Sequence, residues 1–201
     1  MQHEHGEVLR LAVLISGSGR TLENLADHCH RGLIPAQIDL VISTGQSEVG
    51  IERSRRLGLR TEIIRPDRAQ PGRFHEALTE AVRRVRADLV CMAGFLSLWP
   101  IPEDYAWRVI NIHPALLPDF GGPGMYGNRV HAAVLAAGCR ESGCTVHYCN
   151  DRYDEGPVIL QRRVVVPPAC TVDELAALVF EEEKIAYPEA IRSIARTWGT
   201  M

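Results

Sequence analysis

The chain has 201 residues, 46% hydrophobic and 23% charged, which is enough for one sizeable core and short for two domains. We therefore expect a single domain over residues 1–201. The chain has 22 basic and 25 acidic residues, and the resulting net charge of −3 disfavours a dedicated nucleic-acid-binding protein. The N-terminus lacks the order of a signal peptide and no apolar run is long enough to cross a membrane, so we expect a cytoplasmic protein without a membrane partner.

The six cysteines do not indicate a disulfide framework. A chain of this length can build a core without covalent cross-links, so we expect free, buried thiols. Cys29 lies between His28 and His30, which is a metal-like cluster, but no second group at ligand spacing completes a tetrahedral site. We therefore predict no metal ion.

The first half of the chain alternates short apolar runs with helical patterns. Residues 9–16 are almost all aliphatic and predict a strand, which a glycine turn and a helix over 21–30 follow. The next predicted elements are a strand at 38–42, a helix at 49–57, a strand at 61–64, a helix at 73–85 and a strand at 88–92. Strands that alternate with helices indicate parallel pairing.

The second half changes pattern after a short strand at 109–112, which leads into His113 and a loop rich in glycine and proline. The remaining predicted elements are a helix at 128–137, strands at 145–149 and 158–166, and a last helix. A capping box at Thr171 and Glu174 predicts the start of the last helix. Its predicted inward face consists of Leu175, Leu178, Val179, Ile185 and Ala186. Pro188 should kink or end that helix. We expect an α/β fold, with one doubly wound, mostly parallel sheet flanked by helices and an antiparallel edge near the C-terminal third.

The glycine turn at 17–19 lies where the first strand meets the first helix. Glycines at that point let backbone N–H groups and the positive helix end approach a phosphate. The dinucleotide fingerprint would need a third glycine where Leu22 stands, and an acidic residue near Ser43, so NAD is disfavoured. A tight turn without a ligand remains the alternative, and Arg20 either adds charge to the site or faces solvent.

Asn111 and His113 lie at the end of a predicted strand, and alternation directs both side chains to the same side of the sheet. An amide donor beside an imidazole can stabilise an oxyanion while the imidazole moves a proton. Asp154, in the acidic turn 150–157, could orient that imidazole and favour its charged form. The alternatives are a structural histidine and a solvated acidic turn. His147 is a weaker candidate for the same cavity or for the core.

Four segments of the chain carry a resemblance to a known family. They are residues 14–19, residues 88–95, the string from Asn111 to Pro118, and residues 143–161 with Asp154, Gly156 and Pro157. In order and spacing these segments resemble the folate-dependent formyltransferases, and within them those of purine biosynthesis. The resemblance implies a Rossmann-like fold and transfer of a formyl group from 10-formyltetrahydrofolate to the amine of glycinamide ribonucleotide through a tetrahedral intermediate.

The resemblance also implies a role for each matched position. The catalytic residues would be Asn111, His113 and Asp154, with His113 protonated. The substrate phosphate and ribose would lie on Gly17, Ser18, Gly19, Arg20, Thr21 and Glu183. The folate would lie on Phe95, Leu96, Ser97, Leu98, Asn111, His147 and Asp151. No metal is implied, and both substrates are small molecules.

The chain departs from the family pattern at Arg20 and Thr21, at Ser97, at Phe180, and in a longer glycine-rich loop at 119–129. Related activities would add parts that we do not find. A methionyl-tRNA formyltransferase would have an additional C-terminal domain, and a formyltetrahydrofolate hydrolase would have an additional N-terminal domain. A non-catalytic protein that binds a phosphorylated metabolite is the alternative of a different class. The sequence is compatible with a homodimer.

Overall fold

The computed structural model describes residues 8–198, which form two compact units. The first unit extends to Phe95 and resumes at Pro188, and the second runs from Leu96 to Tyr187. The expectation of no signal peptide concerns residues 1–7, which lie outside the described residues. That residues 1–201 form one domain stays a prediction.

The first unit contains parallel strands connected by helices. Its elements are β1 (Leu9–Ile15), α1 (Arg20–His30), β2 (Ala36–Ser43), α2 (Glu48–Arg56), β3 (Thr61–Ile63), α3 (Pro71–Arg84) and β4 (Leu89–Met92). The strand order is β3-β2-β1-β4, and each pair is parallel. β1 and β4 are buried almost throughout, as expected of strands covered on both faces.

The second unit is built around three antiparallel strands. Its elements are a short 3₁₀ turn (Glu103–Tyr105), β5 (Val109–His113), α4 (Asn128–Ala136), β6 (Glu141–Tyr148), β7 (Val158–Val165) and the first part of α5 (Val172–Thr197). β6 pairs with both β5 and β7 in antiparallel register. The Tyr187 hydroxyl donates to the Ile110 carbonyl at 3.1 Å and fixes β5 against α5. The predicted α/β class, with parallel strands followed by antiparallel ones, is confirmed.

The predicted start of the last helix is confirmed, but its predicted buried face is partly wrong. Thr171 N–H donates to the Glu174 carboxylate at 2.8 Å, and Glu174 N–H donates to the Thr171 hydroxyl at 3.3 Å. Of the predicted inward residues Leu175, Val179 and Ala186 are buried. Leu178 and Ile185 are 38% and 48% exposed, so their prediction as inward residues is wrong. α5 runs to Thr197, so Pro188 does not end it.

All six cysteines are free thiols, as predicted. Only Cys91 and Cys144 are fully buried, so the expected burial holds for two of them. Burial raises the pKa of Cys29 to about 11 and that of Cys144 to about 12, which keeps both thiols protonated near neutral pH. Within residues 8–198, no helix is both long and apolar enough to cross a membrane, and no cluster of three His, Cys, Asp or Glu side chains could hold a metal.

Candidate active site

The end of β5 brings two polar side chains to one face. Asn111 and His113 are two residues apart on an extended strand, so they point in the same direction. In the antiparallel register with β6, Asn111 lies opposite His147 and His113 lies opposite Thr145. The strand pairing therefore adds a second histidine to the site.

A tight β6–β7 connection supplies the carboxylate. Tyr148 N–H donates to the Pro157 carbonyl at 2.9 Å and closes the connection. A Cβ at Gly156 would lie 1.7 Å from the Tyr148 carbonyl oxygen, so only glycine fits there. Asp154 itself has a φ of +58°, in the left-handed region that Asp tolerates better than most residues. The backbone thus folds back and directs the Asp154 side chain towards the end of β5.

The structure brings Asn111, His113, Asp154 and His147 into one cluster. His113 Nδ1 lies 3.5 Å from Asp154 Oδ2, and His147 Nε2 lies 3.6 Å from Asp154 Oδ1. Asn111 Nδ2 lies 3.5 Å from Asp154 Oδ1 and 3.2 Å from His147 Nε2. The side chains of His113, His147 and Asp154 are 4%, 2% and 10% exposed, so their interactions are little screened by water.

His147 fixes the orientation of the Asn111 amide. His147 Nδ1 lies 2.9 Å from the Tyr148 carbonyl oxygen, which only accepts, so Nδ1 carries the hydrogen. In the neutral ring Nε2 then has a lone pair and accepts from Asn111 Nδ2. Asn111 Nδ2 has two hydrogens, and this bond uses one of them. The strand register is the only signal that could have found this role, because His147 is separated from Asn111 by 36 residues.

The glycine-rich loop after Pro118 contributes two backbone groups that the sequence analysis missed. The Phe120 carbonyl accepts a hydrogen bond from His113 Nε2 at 2.9 Å. Gly122 N–H donates to Asp154 Oδ2 at 3.0 Å. A Cβ at Gly121 would lie 2.7 Å from a Leu117 methyl group and 3.1 Å from Asp154 Cβ, so the loop requires glycine to approach this closely. The pair of glycines was the available signal for this approach.

Burial and charge act in opposite directions on the two central groups. Burial lowers the pKa of His113, and it outweighs the Asp154 charge and the Phe120 carbonyl, which both raise it. Burial raises the pKa of Asp154, but its contacts with His147, His113 and Gly122 N–H together hold it below its ordinary value. The carboxylate is thus ionised at neutral pH, whereas the free protein favours a neutral His113.

His131, on α4, is a further buried histidine that the sequence analysis missed. Burial and, to a lesser extent, the charge of His113 lower its pKa. Its Nδ1 is buried without a hydrogen-bond partner in the described part of the chain. The structure thus places a third buried histidine within electrostatic reach of His113.

The glycine turn belongs to the first unit. Gly19 precedes α1 with a φ of +73°, and no side chain caps the helix. Gly17, Ser18 and Arg20 are exposed, and Thr21 is half-buried. The first N–H groups of a helix have no partner within the helix, so this turn has the features of an anion site.

The predicted folate residues divide between the two units. Phe95 is buried in the first unit and stacks on Phe74 with a ring separation of 6.5 Å. In the second unit Leu96 and Leu98 are 41% and 38% exposed, and Ser97 between them is half-buried. The Asp151 carboxylate accepts from Ile101 N–H at 3.1 Å, which ties the acidic turn to the segment after Leu98.

Glu183 is half-buried on α5. After burial itself, its charge contributes most to the raised pKa of Cys144, so Glu183 lies near β6. Phe180, one turn earlier, has the Lys184 ammonium 5.9 Å above its ring. This part of α5 therefore carries an acidic and a basic side chain beside an aromatic ring.

Comparison with known proteins identifies similar sequences. A family model described as formyl transferase matches residues 9–191. The chloroplastic phosphoribosylglycinamide formyltransferase of Arabidopsis thaliana is 35% identical over 189 residues, which cover 92% of this chain and 65% of that protein. The chain thus spans slightly less than two thirds of the length of this plant relative. The phosphoribosylglycinamide formyltransferase of Haemophilus influenzae is 31% identical over 91% of this chain and 85% of its own length.

A solved structure agrees with the sequence relatives. The crystal structure of glycinamide ribonucleotide transformylase 1 from Symbiobacterium toebii superposes with a TM-score of 0.82 and 37% identity. The match covers 96% of this chain and 90% of that one.

Proposed function

Because the chain belongs to the formyl transferase family, we propose that it transfers the formyl group of 10-formyltetrahydrofolate to the amine of glycinamide ribonucleotide. The observation that carries the proposal is the cluster of Asn111, His113 and Asp154, in which Asn111 Nδ2 and His113 Nδ1 each lie 3.5 Å from the Asp154 carboxylate. A protein that only binds a phosphorylated metabolite would have no need of such a cluster.

The proposed reaction is a direct transfer through a tetrahedral intermediate. The amine nitrogen of the ribonucleotide attacks the formyl carbon, and the carbonyl oxygen becomes an oxyanion. The bond between the formyl carbon and folate N10 then breaks, N10 takes up a proton, and the amine loses one. The products are tetrahydrofolate and the formylated ribonucleotide, and no bond to the protein forms.

Asn111 and His113 would stabilise the oxyanion. His147 accepts one hydrogen of Asn111 Nδ2, and the other, which is directed at Asp154 Oδ1 3.5 Å away in the free protein, would turn to the substrate oxygen. Because Asp154 faces His113 Nδ1, Nε2–H is the ring group left for the substrate, and the Phe120 carbonyl accepts from it in the free protein. Donors fixed before the reaction need little reorganisation when the charge develops.

The charge of His113 would change during the reaction. Burial lowers its pKa in the free protein, but a developing oxyanion adds a second negative charge beside Asp154 and raises the pKa again. The imidazolium is thus most stable when the oxyanion is present. Asp154 would then stabilise the imidazolium and, through water, help to carry the proton that leaves the amine.

Substrate binding is proposed for two further sets of residues. The ribonucleotide phosphate would bind the backbone of residues 17–21 with Arg20 nearby, and Glu183 would contact the ribose. The folate would lie against residues 95–98, with Asn111, His147 and Asp151 at its reactive end. The exposure of Leu96 and Leu98 supports an aromatic ligand, since exposed leucines offer it apolar contact.

The first test is a spectrophotometric assay of tetrahydrofolate formation from a 10-formyl-folate donor, with and without glycinamide ribonucleotide. Turnover that requires the ribonucleotide is the expected result. Equal turnover without it would indicate a hydrolase, and no turnover in either case would favour a metabolite-binding protein. We propose a reaction without a metal ion, so dialysis against EDTA should leave the rate unchanged.

We also propose that the protein acts in the cytoplasm on these two small molecules, without a nucleic-acid or membrane partner. Fractionation of cells that express the chain tests the compartment. Sedimentation of the purified chain distinguishes a monomer from the homodimer that the sequence allows. Urea unfolding tests the single domain, for which one transition seen equally by tryptophan fluorescence and by circular dichroism is expected.

A further inference from the structure

The turn at 17–21 is supported from behind by α2. Gly50 and Arg53 are three residues apart and so lie on one face of that helix. A Cβ at Gly50 would lie 2.2 Å from the Gly17 carbonyl oxygen, so the two backbones are in direct contact. The Arg53 side chain extends along the same surface, where its Cδ would be 3.8 Å from a Cβ at Gly19.

Arg53 makes a direct hydrogen bond to the turn. Its Nη1 donates to the Ser18 carbonyl oxygen at 2.8 Å. The side chain is only 19% exposed, so this charge-assisted bond is partly shielded from water. With Ser18 held at its carbonyl, the N–H groups that follow it along the turn are held in place as well.

Arg53 also pairs with Glu23, an acidic residue whose position is unfavourable for binding an anion at the turn. Glu23 lies in the first turn of α1, where its charge would repel an anion bound at the helix N-terminus. Arg53 Nε lies 3.3 Å from the Glu23 carboxylate, and Arg56 approaches it to 3.7 Å. Arg53 is the nearer and the less exposed of the two arginines, with 19% against 70% of the side chain accessible.

We infer that Arg53 is a positioning residue of the phosphate site: it holds the Ser18 carbonyl and cancels the Glu23 charge, so that the turn accepts a phosphate dianion. The inference rests on the proposed function, because it assigns the phosphate of the ribonucleotide to residues 17–21. Arg53 itself acts through the turn and does not touch the substrate.

The first experiment compares the KM and kcat of Arg53→Met with those of Arg55→Met, which removes an exposed arginine from the same helix. Arg53→Met should raise the KM for the ribonucleotide about 10-fold or more, the loss expected for a hydrogen bond to a charged group. The kcat and the KM for the folate should change less than about twofold, as should all constants of Arg55→Met. An unchanged ribonucleotide KM in Arg53→Met would overturn the inference.

A second substrate separates positioning from general damage to the fold. The riboside without its phosphate should react slowly with the natural protein, and Arg53→Met should not lower its kcat/KM further. An equal loss with the riboside would show that the substitution acts elsewhere, and would overturn the inference. Arg53→Lys restores the charge, so it should recover part of the ribonucleotide KM.

The charge component is tested by a second substitution. Adding Glu23→Gln to Arg53→Met removes the carboxylate that has lost its nearer partner, so the ribonucleotide KM should fall again by several-fold. No recovery would overturn the charge role. If the natural protein shows no formyl transfer, the proposed function fails, but titration with inorganic phosphate still tests the site: the natural protein should bind it, and Arg53→Met more weakly. Equal binding by both would overturn the inference.

Discussion

The cluster at the end of β5 and the turn at 17–21 are built in opposite ways. In the cluster, polar side chains contact one another at 3.2–3.6 Å, and those of His113, His147 and Asp154 are at most 10% exposed. In the turn, Gly17, Ser18 and Arg20 are exposed, and the groups available to a ligand are backbone N–H groups and one arginine. Buried side chains change their protonation with the state of a substrate, whereas exposed backbone offers a fixed partial charge.

This difference predicts where each substitution acts. A change in the cluster should lower kcat, since its groups respond to charge that develops in the reaction. A change in the turn should raise KM, because its contacts are the same for substrate and transition state. Substitutions in the two regions therefore test the contrast directly.

The largest effect is expected from His113→Ala. The substitution removes the ring that is proposed to donate to the oxyanion and to move a proton, so kcat should fall about 10²- to 10⁴-fold, while the affinity for the ribonucleotide changes little. Steady-state kinetics and calorimetric titration measure the two quantities. His30→Ala, at an exposed histidine of α1, is the control and should keep full activity. A His113→Ala protein with normal kcat would remove this ring from the mechanism.

The next effect is expected from Asp154→Asn, with kcat lowered about 10²-fold by the loss of one electrostatic contact. The carboxylate raises the pKa of His113 and burial lowers it, so loss of the charge should lower that pKa further. The imidazolium then forms only at a lower pH, which NMR titration of the His113 ring measures. Asp119→Asn, at an exposed carboxylate of the loop, should shift the ring little. A higher His113 pKa in Asp154→Asn would contradict the electrostatic assignment.

A smaller effect on kcat and a clear effect on stability are expected from Gly156→Ala. The new methyl group would meet the Tyr148 carbonyl, so the connection must shift and Asp154 with it. We expect a loss of about 1–3 kcal/mol in the free energy of unfolding, measured by urea titration. Gly72→Ala is the control, since a Cβ there meets nothing within 4 Å. Equal stability of the two variants would show that the close approach at Gly156 is not required.

The smallest effect is expected from Arg20→Ala, in the turn. An exposed arginine beside a phosphate contributes little, so the KM for the ribonucleotide should rise about two- to fivefold with kcat unchanged. The measurement is steady-state kinetics at low and high salt, because screening should reduce the difference between variant and natural protein. Arg31→Ala, at the other end of α1, is the control. A lower kcat in Arg20→Ala would break the contrast between the two regions.

Local patterns in the sequence predict the parts of the cluster that follow from one element. Alternation along β5 places Asn111 and His113 on one side, and the close spacing of β6 and β7 predicts their antiparallel pairing. The contact of His147 with Asn111 could not be predicted in the same way, since it depends on the register between β5 and β6. The Phe120 carbonyl and Gly122 N–H are backbone groups. Because nearly every residue carries such groups, their contacts with His113 and Asp154 could not be predicted from residue type.

The predicted inward face of α5 is partly wrong for a geometric reason. Successive residues of a helix are about 100° apart, so the buried residues Leu175, Val179, Ala186, Tyr187, Ala190 and Ile191 cover one broad side of α5. Leu178 and Ile185 lie on the opposite side, and they are exposed in the structure. Apolar character alone therefore extended the predicted face too far.

The hydrogen bond between His113 and the Phe120 carbonyl gives the proposed site a way to discriminate between ground state and transition state. A formyl oxygen that approaches the ring exchanges one neutral carbonyl acceptor for another, so the folate gains little affinity from this contact. An oxyanion is a stronger acceptor, because charge-assisted hydrogen bonds are about twice as strong as neutral ones. The hydrogen bond to the Phe120 carbonyl is therefore replaced with a gain in free energy only when the oxyanion forms. A neutral inhibitor that mimics the formyl group would gain little affinity from contact with His113.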